Sequence, residues 1–245
     1  MGWPRRARAQ ALIVSGKVFS AEARVDKPGQ LLLRDAPLSV RGDDNPFVSR
    51  GGLKLRGALA AFAPHGLDPR GKIALDVGAS TGGFTDCLLS AGATRVYAVD
   101  VGWGQLHPRL RADPRVVVRE RENARELDES SFPDPIALVV VDASFIGIAA
   151  LLPAIARVLV PGGELCALVK PQFEAGRAAV QKARGVIRDE GVRQAAIASA
   201  TSAIESAGFV VRAAADAELA GPKGNLEHFV YATRAGSAER GRPRA

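Results

Sequence analysis

The chain has 245 residues, 47% of them hydrophobic, which is enough for one full α/β domain and a small second one. Its two cysteines, Cys87 and Cys166, lie in apolar segments without close-spaced ligand partners, which excludes a disulfide framework or zinc site and suits a reducing cytosol. The net charge of +7 is uneven: residues 1–56 carry +6 and residues 234–245 carry +3, leaving about −2 for the middle, the footprint of a polyanion-binding head on a near-neutral body.

Arg5 to Ser15 reads as a short basic helix with Ala11, Leu12 and Val14 as apolar contacts and Gly16 as its cap. Arg5, Arg6 and Arg8 before Ala11–Val14 mimic the start of a signal peptide, but the apolar run is too short for one. Short β-like runs follow at 17–19, 23–25, 30–33 and 37–40, separated by Lys27-Pro28-Gly29 and Asp35-Ala36 turns. A helix leading into a small twisted sheet with scattered arginines resembles the latter part of the S-four-type RNA-binding domain. That domain normally opens with a further helix, so either the start is mis-assigned or residues 1–44 form an abbreviated version of it. RNA contacts are expected from Arg5, Arg6, Arg8, Lys17, Arg24, Arg50 and Arg56.

Polar, turn-rich residues before Phe47 predict a linker, placed at 45–50, ahead of a catalytic domain over 51–234 and a disordered tail over 235–245. Arg41-Gly42-Asp43 reads as chance and not as an adhesion signal. Ser49 can cap a helix running to about Ala63, with Leu53, Leu55, Leu59 and Phe62 as its apolar positions. Strands and helices then alternate: 73–77, 83–91, 95–99, 116–118, 136–141, 148–159 and 163–169, then a helix over 188–207 and closing strands at 209–215 and 227–233. This order predicts a doubly wound, Rossmann-like α/β sheet with helices on both faces and an antiparallel edge. The most apolar region, 136–160, is broken by Asp142, Pro153 and Arg157 and predicts a strand plus a helix, not a membrane span.

Ile73 to Thr85, IALDVGASTGGFT, joins a buried strand to a helix through a glycine turn that brings backbone close to a ligand. Its spacing is not the G-x-G-x-x-G of a dinucleotide fold, and with Asp76 at the strand end it fits a cofactor without a pyrophosphate, S-adenosylmethionine above all. Asp100 ends the next strand, where a carboxylate can take ribose hydroxyls. Two further strands end in polar groups at the crevice, Val139-Val140-Val141-Asp142 and Leu168-Val169-Lys170. A structural ion pair between Asp142 and Lys170 is the plain alternative to a catalytic role.

The segments FVSRGGLKL, LDVGASTGGFTDCLL, AVDVGWGQL, ERENAR, VVVDASFI, LVKPQFEAG and GNLEHF together resemble the TlyA family of haemolysin-A-like RNA methyltransferases, within the wider FtsJ-like ribose 2′-O-methyltransferases. The resemblance runs from Arg5 to Arg234. It implies a catalytic tetrad of Lys54, Asp142, Lys170 and Glu227, with Lys170 as base, and cofactor contacts at Asp76, Gly78, Ser80, Gly82, Gly83, Phe84, Thr85, Asp100, Asn123, Ala124, Asp142 and Phe145. Lys54 and partial burial would favour a neutral Lys170, whereas Asp142 would favour the charged form. The implied reaction is methylation of a cytidine ribose in 16S or 23S ribosomal RNA, or both, in the cytoplasm, with ribosomal subunits as partners and neither metal nor membrane. FVSRGG, joining head to catalytic domain, is expected to transmit RNA docking to the cofactor site.

Three other readings compete. A membrane-active haemolysin lacks a spanning segment to act through, a non-catalytic ribosome-assembly factor would be expected to lose tetrad residues or fill the glycine loop, and a methyltransferase for small molecules or proteins would not need the basic head.

Overall fold

A computed structural model describes residues 9–10, 12–13, 17–40, 45–176, 181, 183, 185–221 and 223–236. The chain divides into two compact units, Met1–Pro46 and Phe47–Ala245.

The first unit holds a three-stranded antiparallel sheet of β1 (Val18–Ser20), β2 (Ala23–Arg24) and β3 (Leu38–Val40), in the order β2-β1-β3. Val18 and Val25 are its buried apolar residues. Of the helix expected over 5–15, residues 9–10 and 12–13 are helical and the rest lie outside the described residues. The strand expected at 30–33 does not form, and Leu31 and Leu33 stand 96% and 81% exposed. Turns close directly on both sides of the run, Gln30 N–H onto Lys27 O at 2.9 Å and Ala36 N–H onto Leu33 O at 3.0 Å, so too little extended backbone is left to pair.

The second unit is built on one seven-stranded sheet. Its strands are β4 (Ile73–Val77), β5 (Arg95–Asp100), β6 (Val116–Glu120), β7 (Ile136–Val141), β8 (Leu159–Val169), β9 (Phe209–Asp216) and β10 (His228–Arg234), in the order β6-β5-β4-β7-β8-β10-β9. The first five run parallel, and β10 enters antiparallel between β8 and β9. Apolar runs such as Ile136–Val141 are what a strand covered on both faces requires, and alternation within them divides the core. Leu75, Val77, Val139 and Val141 face α4 (Leu152–Val158) and α6 (Glu190–Ser206). Ala74, Leu138, Val140 and Phe229 face α1 (Arg50–Phe62) and α2 (Gly83–Ser90).

The helix expected over 148–159 is split into a 3-10 turn, Ile148–Ala150, and α4, which begins at Leu152 with Pro153 in its first turn. Proline has no N–H to continue a helix from upstream but suits the start of a new one. The expected linker 45–50 is also divided. Phe47 and Val48 pack on the core beneath α1, and the Val48 N–H donates to Asp86 Oδ2 at 2.9 Å. Ser49 occupies the N-cap of α1, but its hydroxyl makes no capping bond. At the far end Ala235 is buried, its N–H bonded to Gly208 O at 3.0 Å, so the expected tail starts later than 235; residues 237–245 lie outside the described residues.

Candidate active site

In this sheet the chain order reverses between β4 and β7, the place where an open parallel sheet leaves a ligand crevice. The glycine loop leaves β4 there. Gly78 has φ +85°, and a Cβ on it would come within 2.8 Å of the Asp142 carbonyl oxygen, so the chain can pass only without a side chain. Gly82, at φ +99°, is the left-handed N-cap of α2, against the Leu106 and Leu110 side chains. The loop is tied down from the sheet side: the N–H groups of Gly78 and Ala79 donate to Val99 O at 2.9 and 3.1 Å, and that of Asp142 to Val77 O at 2.9 Å.

Asp100 holds the neighbouring loop. Its Oδ2 accepts from the Ser80 N–H at 2.8 Å and its Oδ1 from the Gly102 N–H at 2.7 Å. A carboxylate oxygen has a second acceptor site, so both remain able to take a hydroxyl.

Asp76 lies elsewhere. Strand alternation puts it on the α2 face with Ala74, fully buried, where Oδ2 accepts from the Thr85 hydroxyl at 2.6 Å and Oδ1 finds no hydrogen-bond partner among the described residues. Burial lifts its pKa from 3.8 to about 7 against the Thr85 bond, with repulsion from Asp142 and Asp100 adding to the rise. A raised folded-state pKa means the folded protein holds this proton more tightly than the unfolded chain. Stability is therefore highest below about pH 4, falls as pH rises to about 7 and is level above. Asp76→Asn removes that titration, so its unfolding free energy should gain on wild type by roughly 4 kcal/mol between about pH 4 and 8. Denaturant unfolding across that range checks this, and a difference that stays constant with pH contradicts it.

A cavity of about 590 Å³ opens beside the loop, within the size range of small-molecule sites. Lys54, Asp142, Lys170 and Glu227 all line it, arranged as two ion pairs. Lys54 Nζ donates to Glu227 Oε2 at 2.5 Å, joining α1 to the residue before β10 across 173 positions of sequence; Lys54 is 7% exposed and Glu227 1%. Lys170, which N-caps the short helix α5 (Pro171–Glu174), has Nζ 2.7 Å from Asp142 Oδ1. That approach is ionic only, because Nζ directs its hydrogen bonds to the Ser144 hydroxyl at 3.0 Å and the Asp142 carbonyl at 3.5 Å.

Of the expected cofactor residues, Gly78, Ser80, Gly83, Phe84, Asp142 and Phe145 line this cavity. Gly82, Thr85, Asp76 and Asp100 brace the loop from outside it. Asn123 and Ala124 lie away from the cavity lining, Asn123 capping a 3-10 turn through the Arg125 N–H. Phe145, at φ +68° and 92% exposed, sits at the mouth with its ring 5.5 Å from that of Phe173. The sequence reading missed Ser144, Gln172, Phe173, Lys223 and Asn225 as lining residues; the first three adjoin Asp142 and Lys170 in motifs already singled out. Among the expected RNA contacts, Arg5, Arg6 and Arg8 lie outside the described residues. Lys17 precedes β1, and Arg24 pairs with Asp26 at 2.5 Å. Arg50 lines the cavity, and Arg56 is exposed with its guanidinium 5.7 Å from the Phe47 ring centroid.

A sheet in this order, with a glycine loop after its first strand and an acid ending its second, is the architecture of S-adenosylmethionine-dependent methyltransferases. A solved enzyme of that class from Mesorhizobium loti superposes with a TM-score of 0.52 at 17% identity, covering 71% of this chain and 96% of that one. Residues 47–234 match the model of the FtsJ-like methyltransferases, and the chain belongs to that family. It is 41% identical over 227 residues to the 16S/23S rRNA (cytidine-2′-O)-methyltransferase TlyA of Mycobacterium tuberculosis, covering 92% of this chain and 83% of that one. Hemolysin A of Brachyspira hyodysenteriae is 40% identical over 227 residues, 92% of each chain. A solved protein of Streptococcus thermophilus that carries a hemolysin name superposes with a TM-score of 0.77 at 38% identity, covering 95% of this chain and 84% of that one. Among the described residues, no helix is long and apolar enough to cross a membrane.

Proposed function

We propose that this protein transfers a methyl group from S-adenosylmethionine to the ribose 2′-oxygen of a cytidine in ribosomal RNA, in the cytoplasm. The observation that carries the reading is the convergence of Lys54, Asp142, Lys170 and Glu227 on one cavity beside a glycine loop. The substrate class is supported by the similarity to TlyA and by the basic head, whose phosphate contacts would give salt-dependent affinity. The head, residues 1–44, serves as an RNA-binding domain in this reading, with Arg24, Arg50 and Arg56 as further RNA contacts.

The residues present fit the cofactor. Gly78 lets the loop pass against the Asp142 backbone where a Cβ would collide, so that Gly78, Ser80 and Gly83 line the cavity; Asp100, behind the loop, keeps acceptor sites for hydroxyls, and Phe84 and Phe145 supply apolar wall. When bound, S-adenosylmethionine supplies an activated methyl on a sulfonium. The protein's part is to align the 2′-hydroxyl and take its proton. Lys170, once its own proton has been released, accepts the hydroxyl proton, and Asp142 holds the ammonium that results. Lys54 adds little repulsion to that centre, because Glu227 neutralises it. The pair instead fixes α1 against the start of β10 and so sets the opposite wall.

Asp100→Ala should weaken binding of S-adenosylhomocysteine roughly 10- to 150-fold, the loss of hydrogen bonds to a charged acceptor. Calorimetric titration reads this; unchanged cofactor affinity would place the ribose elsewhere. The function itself is tested by transfer of labelled methyl to small subunits, large subunits and naked ribosomal RNA. Label on one of these supports it, and none on any, with cofactor bound, refutes it.

A further inference from the structure

The segment between β5 and the short helix α3 (Pro108–Arg111) carries two large apolar side chains with no part in the cavity, Val101 at 73% and Trp103 at 69% exposure. Leaving an indole in water forgoes most of the free energy its burial would give. This loop is nonetheless firmly held. The Arg121 N–H donates to Gly102 O at 2.9 Å, the Glu122 N–H to Asp100 O at 3.0 Å, and the Gln105 N–H to Glu120 Oε1 at 3.1 Å. The Arg121 guanidinium stands 4.8 Å from the Trp103 ring centroid. Arg121 adopts φ +60°, a left-handed conformation uncommon for a residue with a side chain. The nearby carboxylates are committed to other cations, Glu120 to Arg111 at 2.7 Å and Glu122 to Arg119 at 2.6 Å, so the charge of Arg121 is uncompensated by them.

We propose that Trp103 and Arg121 form a stacking platform for an unpaired nucleobase of the RNA substrate, flanking the nucleotide in the cavity, with Arg121 against its phosphate. The inference rests on RNA being the substrate. Every base offers a π-face, an aromatic backed by a guanidinium holds it without reading sequence, and a single-stranded segment is the polyanion that presents unstacked bases. The indole is the energetic part of the platform, and the arginine adds salt dependence.

The chain contains two tryptophans, Trp3 and Trp103, so Trp3→Phe leaves Trp103 as the sole indole reporter. In that protein an unstructured RNA of about a dozen nucleotides should quench the emission, less so as salt is raised, while S-adenosylhomocysteine leaves it unchanged. Trp103→Ala should weaken RNA binding roughly 5- to 150-fold with cofactor affinity intact, and Trp103→Phe should restore most of the loss. Quenching by S-adenosylhomocysteine, together with lost cofactor affinity in Trp103→Ala, would make the indole a wall of the cofactor site and overturn the platform. Unchanged RNA binding by Trp103→Ala overturns it too. If the Trp3→Phe protein methylates ribosomal RNA in that case, the platform alone has failed; if it neither binds nor methylates RNA, the proposed function has failed with it.

Discussion

Lys170→Ala is expected to slow methyl transfer roughly 10²- to 10⁴-fold, the range that a positioned general base contributes, while leaving cofactor affinity within about twofold. The residue is 9% exposed, and its Nζ lies between Asp142 and the Ser144 hydroxyl, so removing it strips the proton acceptor without touching the glycine loop. Lys170→Arg makes the sharper test. A guanidinium keeps the positive charge opposite Asp142 but cannot give up its proton in water, so this variant should be as inactive as the alanine one. Single-turnover rates with saturating cofactor separate the two roles. An arginine variant near wild-type rate would mean that the site uses Lys170 only as a fixed charge.

Glu227→Ala should act on stability as well as rate. It leaves Lys54 buried with its ion-pair partner gone, which costs about 3–5 kcal/mol for a buried pair. For a domain of this size that lowers the melting temperature by roughly 6–20 °C, and the rate should fall as α1 loses its hold on the cavity wall. The double variant Lys54→Met with Glu227→Leu replaces the pair by apolar groups of similar reach. It should regain most of the stability and, with the wall fixed again, much of the activity. A double variant that is stable but inactive would mean that the charges of the pair act on the substrate and do more than pin the wall.

Much of the second unit is legible in the sequence because its strands are covered on both faces, so Ile136–Val141 appears as an uninterrupted apolar run followed by Asp142, and Ile73–Leu75 as a short one ahead of Asp76. The crevice residues follow from that, since whatever ends such a strand stands at the sheet's carboxyl edge. Asp76 is the instructive exception. It looks like a strand-end acid, yet it is still within β4, and counting by twos from Ala74 assigns it to the helix face beneath Thr85. The pairing of Lys54 with Glu227 is not local, so neither segment announces its partner. The division of the expected linker is hidden for the same reason: the bond from Val48 to Asp86 forms only once α1 lies on α2. In the first unit the apolar run at 30–33 is strand-like in composition, but the flanking turns leave it no neighbour.

The central claim is tested most directly by nucleoside analysis. Ribosomal RNA methylated with labelled S-adenosylmethionine is digested to nucleosides, and the label is followed by chromatography and mass. Label confined to 2′-O-methylcytidine is the predicted result. Label on a base carbon or nitrogen, or on the ribose of another nucleotide, would contradict the reading of the cavity as a site that takes a proton from a cytidine 2′-hydroxyl.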